Sequence, residues 1–110
     1  MSKEQMIPAR HNGMSPMHPG EILKEMYLAP MGLSVSKLAT RMQVTTARLN
    51  KIVHGKRGIT ADTALRLGKV FGTSAQMWLS LQSTYELRKA ETSNDESIAR
   101  LEPFDMQELV

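Results

Sequence analysis

Apolar residues recur at helical spacing through most of the chain between Met17 and Ala90, and short polar, glycine- or proline-containing runs separate the segments. Residues three, four and seven positions apart lie on one face of an α-helix, so each segment predicts an amphipathic helix. No stretch alternates apolar and polar residues with the period of two that a half-buried strand shows. The pattern therefore predicts an all-α fold of five helices without a sheet.

The first helix is predicted to begin at the His-Pro-Gly-Glu sequence of residues 18–21. Proline is favoured at the first helical position, and a glutamate in the first turn suits the positive end of the helix dipole. Pro30 and Gly32 are expected to end this helix. Its apolar stripe is formed by four residues, Ile22, Leu23, Met26 and Tyr27.

The period breaks at Gln43 and Val44, which separate a second helix from a third. Ser34 and Thr45 are predicted to cap these two helices, because their hydroxyl oxygens accept hydrogen bonds from free N–H groups at a helix start. The third helix is expected to end at Gly55. The residues expected to face the core are Val35, Leu38, Ala39 and Met42 in the second helix, and Leu49, Ile52 and Val53 in the third.

Two further helices are predicted behind Thr60 and Ser74, which have the same capping chemistry. Gly72 lies where a left-handed residue is expected to end the fourth helix. The fifth helix is predicted to continue to Ala90. The predicted inward residues are Ala61, Ala64, Leu65, Gly68 and Phe71 in the fourth helix, and Met77, Trp78, Leu81 and Tyr85 in the fifth.

The two ends of the chain lack this periodicity. Residues 1–16 contain Pro8, Gly13 and Pro16 and are predicted to form a flexible arm before a domain of residues 17–90. Residues 91–110 are predicted to form an acidic tail, for which a short docking helix and disorder are both open. The chain has no cysteine, no signal peptide pattern and no apolar stretch near 18 residues, so we expect a cytoplasmic protein without thiolate sites.

Charge is distributed unevenly along the chain. Residues 35–70 contain eight lysine and arginine side chains and one acidic side chain, Asp62, a net charge of +7. Residues 86–110 contain three basic and seven acidic side chains, a net charge of −4. A concentrated basic segment indicates either a polyanion partner or a solvated surface. Arg66 and Lys69 fit the second interpretation, as solvated side chains of the fourth helix.

The second and third helices have the spacing of a helix-turn-helix, which places its second helix in the major groove of DNA. Ala39 is small where the two helices must cross, Val44 is apolar just after the turn, and Leu49 and Ile52 anchor the third helix. A merely structural helical hairpin is the alternative. The joint placement of these residues favours the helix-turn-helix.

The outward side chains of the third helix suit recognition of base edges. Asn50 can bind an adenine edge with two hydrogen bonds, Lys51 or Arg48 a guanine edge, and a threonine methyl group or Ala47 a thymine methyl group. The predicted base-contacting residues are Thr45, Thr46, Ala47, Arg48, Asn50 and Lys51. The predicted phosphate contacts are Ser36, Lys37, Arg41, Lys56 and Arg57, which position the protein without selecting a sequence.

Four segments resemble those of a known family. They are Met-His-Pro-Gly-Glu-Ile-Leu at residues 17–23, Gly-Lys-Arg-Gly-Ile-Thr at 55–60, and Ala-Leu-Arg-Leu at 64–67 followed by Trp-Leu-Ser-Leu-Gln at 78–82. The series resembles the HigA family of antitoxins within the Xre/Cro-like DNA-binding class, over about residues 17–90. The resemblance implies a lambda-repressor-like fold. The chain departs from the usual pattern at Gln43, where a glycine commonly forms the turn; a left-handed Gln43 would cost about 1 kcal/mol.

The resemblance also implies a function. It implies a dimeric repressor of its own toxin–antitoxin operon that binds a palindromic double-stranded operator and silences a HigB-like, RNA-cleaving toxin. Thr45, Thr46, Ala47, Asn50 and Lys51 would then face the operator. The fifth helix would supply the homodimer contact, and the residues themselves suggest that Trp78, Leu81 and Tyr85 serve both the core and that interface.

Other functions fit the chain less well. The three histidines are too scattered for a metal site, and the serines lack the sequence context of a nucleophile, so we expect no catalytic residue, metal or cofactor. A helical adaptor that binds only protein does not explain the basic segment. A stand-alone Xre-family regulator without a toxin remains the alternative to the antitoxin, because charge and spacing are the same for both.

Overall fold

The computed structural model describes residues 16–93 and 95–109 as an all-helical chain, and no strand occurs among these residues. Five helices form at the five predicted places, and a short sixth lies in the tail. The first, α1, consists of Pro19–Leu23, a π-helical turn Lys24–Leu28 and Ala29–Met31. The others are α2 Val35–Met42, α3 Thr46–Val53, α4 Ala61–Phe71, α5 Ala75–Thr92 and α6 Glu96–Ala99, and a 3₁₀ turn follows at Met106–Leu109.

Side-chain caps begin the helices where the sequence predicted them. The hydroxyl oxygens of Ser34, Thr45 and Ser74 each accept a hydrogen bond of 3.0 Å from the N–H group three residues further on. Thr60 accepts the equivalent bond at 3.3 Å. Such caps contribute about 1 kcal/mol each, and they fix where the short helices α2 and α3 start.

The first helix is also capped and widened by its own sequence. His18 precedes it and accepts a hydrogen bond of 2.8 Å at Nδ1 from the N–H group of Gly20. The π-helical turn ends two residues before Pro30 and contains Met26, with whose carbonyl group the Pro30 ring would clash in a regular α-helix. Pro30 therefore lies inside the last turn, and Gly32 ends the helix in the left-handed region at φ +60°.

One apolar core holds α1 to α5 together. Its fully buried side chains include Leu23 from α1, Leu49 and Ile52 from α3, and Trp78 from α5. Gly20 lies so close to the backbone carbonyl of Ile52 that a Cβ atom would overlap it. The start of α1 therefore packs directly on the end of α3, which explains the glycine of the His-Pro-Gly-Glu sequence.

The predicted inward face of α4 wrongly included two residues and left out two others, Thr63 and Leu67. Leu65 is 62% exposed and Ala61 is also exposed, whereas Thr63, Ala64 and Leu67 are buried. The buried face is centred on these three residues, and the hydroxyl group of Thr63 accepts a hydrogen bond from Arg48 of α3. A polar residue with a partner on another helix can be buried, and hydrophobic periodicity counts such a residue as outward.

The structure describes most of the C-terminal tail but little of the N-terminal arm. The predicted arm lies outside the described residues except for Pro16. Every described residue of the predicted acidic tail is exposed, so α6 does not dock on the core. In the described residues, no helix is long and apolar enough to cross a membrane.

Candidate nucleic-acid interface

A tight turn of three residues joins α2 to α3. Gln43 has φ 59° and ψ 45° and is the one residue other than glycine with a positive φ among those described. Its N–H group donates to the carbonyl of Thr40 at 3.1 Å, and the N–H group of Val44 donates to Ala39 at 3.0 Å. Gln43 thus takes the left-handed conformation that a glycine commonly supplies, and α3 leaves the turn in a new direction.

The third helix separates an apolar from a polar face as predicted. Leu49, Ile52 and Val53 are buried and fix α3 against the core. The opposite side is exposed along the whole helix, and it presents Thr45, Thr46, Ala47, Asn50 and Lys51 to solvent. The chemistry on this surface comprises two hydroxyl groups, a methyl group, a carboxamide and an ammonium group.

Arg48 does not belong to this exposed face, which corrects its predicted place. Its Nη2 donates to Oδ2 of Asp62 at 2.7 Å and to the hydroxyl oxygen of Thr63 at 2.7 Å. Its side chain is 23% exposed. Arg48 lies one helical turn before the buried Ile52, on the flank of α3 that packs towards α4. Its guanidinium group therefore binds α4 instead of extending outward with Lys51.

Asp62 connects this flank to the turn. The same Oδ2 atom that accepts from Arg48 also accepts from Nε of Arg66 at 2.9 Å, and Nη1 of Arg66 donates to the backbone carbonyl of Met42 at 2.9 Å. The two guanidinium groups hold the pKa of Asp62 below its usual value through their hydrogen bonds. Arg66 was expected to be a solvated side chain of α4, but it bridges Asp62 to the last residue of α2.

The predicted phosphate-contacting residues lie on two exposed segments. Ser36, Lys37 and Arg41 are exposed on α2, and Lys56 and Arg57 are exposed in the loop after α3. The five residues are thus free to meet a polyanion from solvent. Gly55 has φ +75° and turns the chain into this loop.

The basic loop is attached to α5 by a buried amide. Gln82 is 8% exposed, and its Oε1 atom accepts a hydrogen bond of 2.8 Å from the N–H group of Ile59. Its Nε2 atom donates to Glu86 at 2.9 Å. A Cβ atom on Gly58 would lie 2.9 Å from that amide nitrogen, so a larger residue there would displace the Gln82 amide. Gln82 thereby fixes the end of the loop that contains Lys56 and Arg57.

The three residues expected at a dimer interface separate into two groups. Trp78 is 0% exposed in the single chain, and its Nε1 donates to the hydroxyl oxygen of Thr73 at 2.8 Å. A side chain without exposed surface cannot contact a second protomer, so the predicted interface role of Trp78 is corrected to the core alone. Leu81 and Tyr85 are partly exposed on α5, where a partner could reach them.

Known proteins share this arrangement. A helix-turn-helix family model matches residues 23–78, which include the turn and both helices around it. The chain belongs to the Xre-like helix-turn-helix family.

Its relatives confirm the resemblance to HigA-type antitoxins. The antitoxin HigA of Pseudomonas aeruginosa, solved with the higBA promoter, is 44% identical, with a TM-score of 0.77 over 82% of this chain and 99% of its own. The antitoxin GraA, solved in complex with its operator, is 41% identical, with a TM-score of 0.77 over 86% and 96%. Virulence-associated protein I of Dichelobacter nodosus is 56% identical over 85 residues, 77% of this chain and 79% of that protein.

Two features of this helix-turn-helix protein were missed from its sequence. Asp62 is the lone acid among the eight cations of residues 35–70, and an isolated opposite charge is itself a signal of pairing. Gln82 was part of a family segment, yet a polar residue between Leu81 and Tyr85 on the inward stripe also indicated a buried hydrogen bond. Among the described residues, no group of three His, Asp or Glu side chains is placed to hold a metal ion.

Proposed function

We propose that the chain is an antitoxin that binds a palindromic operator in front of its own operon as a homodimer, and that it also binds and silences an RNA-cleaving toxin. The observation that carries the DNA-binding half is the exposed face of α3, which Leu49, Ile52 and Val53 hold outward from the core. The HigA and GraA relatives, solved with promoter or operator DNA, support it. The proposal includes no enzymatic activity of this chain.

The exposed face provides the contacts that a major groove requires. Asn50 binds an adenine edge and Lys51 a guanine edge, while Thr45, Thr46 and Ala47 at the start of α3 approach methyl groups and neighbouring bases. Arg48 is left out of this set because its guanidinium group is bound to Asp62 and Thr63. Ser36, Lys37, Arg41, Lys56 and Arg57 contact phosphates on either side.

A homodimer places two such faces on one duplex. We propose that Leu81 and Tyr85 on α5 meet their counterparts across a two-fold axis. The two α3 helices of a symmetric dimer bind half-sites about 34 Å apart, one turn of DNA, so the operator has a palindromic sequence.

DNA binding is tested with the Lys51→Ala variant. A fluorescent duplex from upstream of the gene and a random duplex are titrated at about 50 and 200 mM salt. We expect the variant to lose about tenfold to a hundredfold of operator affinity, because one good base contact contributes roughly 1–3 kcal/mol. Lys24→Ala, which removes an exposed lysine of α1 outside the proposed interface, is the matched control and retains the preference. Unchanged operator preference in Lys51→Ala would contradict the placement of the base-contacting face.

Toxin binding is tested separately, by co-expressing the chain with the gene next to its own. We expect the two products to co-purify and the chain to relieve growth arrest caused by its neighbour. If operator binding is intact but no neighbouring product binds or arrests growth, the stand-alone regulator is the correct function and the toxin half of the proposal is wrong.

A further inference from the structure

Asp62 occupies an unusual place for an acidic residue. It is the one negative charge among residues 35–70, which contain eight positive charges and the whole proposed DNA interface. Its carboxylate is 54% exposed. A negative charge near a DNA-binding surface repels phosphates, and within a Debye length of about 8 Å salt screens this repulsion only partly. Electrostatics alone therefore predicts that removing Asp62 strengthens DNA binding.

The geometry indicates what opposes that repulsion. One oxygen of Asp62 holds two guanidinium groups, at 2.7 Å from Arg48 and 2.9 Å from Arg66. Arg48 stands on α3 itself. The guanidinium group of Arg66 also donates to the backbone carbonyl of Met42, the residue directly before the left-handed Gln43. Asp62 thus links α4 to both sides of the turn. It binds α3 through Arg48, and through Arg66 it is connected to the end of α2.

A gain in stability is a weak explanation for this arrangement. Ion pairs as exposed as Asp62 with Arg66 contribute little to folding, because water and salt screen them. An effect on the orientation of α3 is a stronger explanation, because DNA recognition is more sensitive to it than stability is to these ion pairs. Base recognition depends on side chains held in a narrow range of positions, so a slightly rotated α3 loses contacts that a phosphate-binding surface keeps.

We propose that Asp62 is a positioning residue for operator recognition, which with Arg66 fixes the angle between α2 and α3 and holds Arg48 away from the groove. The inference rests on the proposed DNA-binding function. It predicts that the Asp62–Arg66 pair raises the preference for operator over random DNA while lowering affinity for DNA in general.

Two variants test this at different net charge. Arg66→Lys keeps the charge, but an ammonium group lacks the planar fork that reaches Asp62 and Met42 together. Asp62→Asn removes the charge and weakens the hydrogen bonds to Arg48 and Arg66, although Arg48 keeps its bond to Thr63. The matched controls are Arg88→Lys and Glu91→Gln, exposed residues of α5 outside the cluster. Affinities of full-length protein for the upstream duplex and for a random duplex are measured across a salt series.

We expect both test variants to lose about tenfold in the ratio of operator to random affinity, comparable to losing one base contact. Random-duplex affinity should stay the same in Arg66→Lys and rise in Asp62→Asn. If Arg48 then reaches a phosphate, the slope of log K against log salt should steepen by up to about 0.9. The controls should change neither quantity.

The opposite outcomes are clear. If Asp62→Asn strengthens operator and random binding equally and Arg66→Lys leaves the ratio unchanged, Asp62 acts by charge alone and the inference is wrong. Circular dichroism shows whether Asp62→Asn is folded. If it is not, the charge-conserving Arg66→Lys decides, and an unchanged ratio of operator to random affinity in that variant contradicts the inference. If the wild-type chain itself does not prefer the upstream duplex, the proposed function fails first, which distinguishes that failure from a failure of the positioning role.

Discussion

Gln43 is a residue at which backbone strain and side-chain contacts can be separated. It lies in the left-handed region at φ 59°, and its side chain is exposed. Replacing it with glycine removes the steric clash of the Cβ atom, which destabilises a left-handed residue by roughly 1–2 kcal/mol. Glycine also gives the unfolded chain more freedom, which offsets roughly 0.4–1 kcal/mol of that gain.

The difference predicts that Gln43→Gly raises the free energy of unfolding by about 0.8 kcal/mol. For a domain of this size, that corresponds to a rise in Tm of roughly 3–6 °C. The assay is thermal and urea unfolding followed by circular dichroism. Gln43→Ala is the matched control, because it removes the side chain but keeps the Cβ atom, and it should unfold close to wild type.

A third variant tests the same reasoning in the opposite direction. Gln43→Val introduces a β-branched side chain, for which the left-handed region is a rare outlier, so it should be the least stable of the series. An order in which Gln43→Gly is no more stable than Gln43→Ala would refute the strain account. It would mean that the turn is held by the hydrogen bonds of Val44 and Gln43 without a steric penalty.

Two other predictions concern the core and the start of α1. Trp78→Ala should lower the free energy of unfolding by about 3–5 kcal/mol because a fully buried ring is lost. Trp78→Phe keeps an aromatic ring and should lower it much less. Equal urea midpoints for the two variants would contradict the place of Trp78 in the core. Burial first, and then the charge of Lys89, lowers the pKa of His18. Its contribution to stability is therefore complete above the unfolded-state pKa of about 6.5 and is lost as pH falls through the lower folded value. Urea unfolding at pH 7.5 and pH 5 should show this loss, and His18→Asn, which still caps α1 but does not titrate, should show a smaller one.

The sequence by itself determined the features of this protein that depend on neighbouring residues. The starts of α2 to α5 follow from a hydroxyl group and the free N–H group three residues on, so Ser34, Thr45, Thr60 and Ser74 were predicted as caps and confirmed. The faces of α2 and α3 follow from a period of 3.6 residues, because their inward residues are nearly all apolar. The polarity of the exposed side of α3 was therefore known before the fold.

Tertiary structure decided the positions where a partner on another helix changes a residue's environment. Thr63 has a hydrogen-bond partner in its buried position because Arg48 crosses from α3 to α4. Arg48 itself turns away from the outward face because Asp62 lies opposite it. Gln82 is buried because the loop after α3 supplies its N–H partner. Local spacing can mark such a residue but cannot identify its partner, because the acceptor or donor that stabilises a polar group in a core comes from a distant part of the chain.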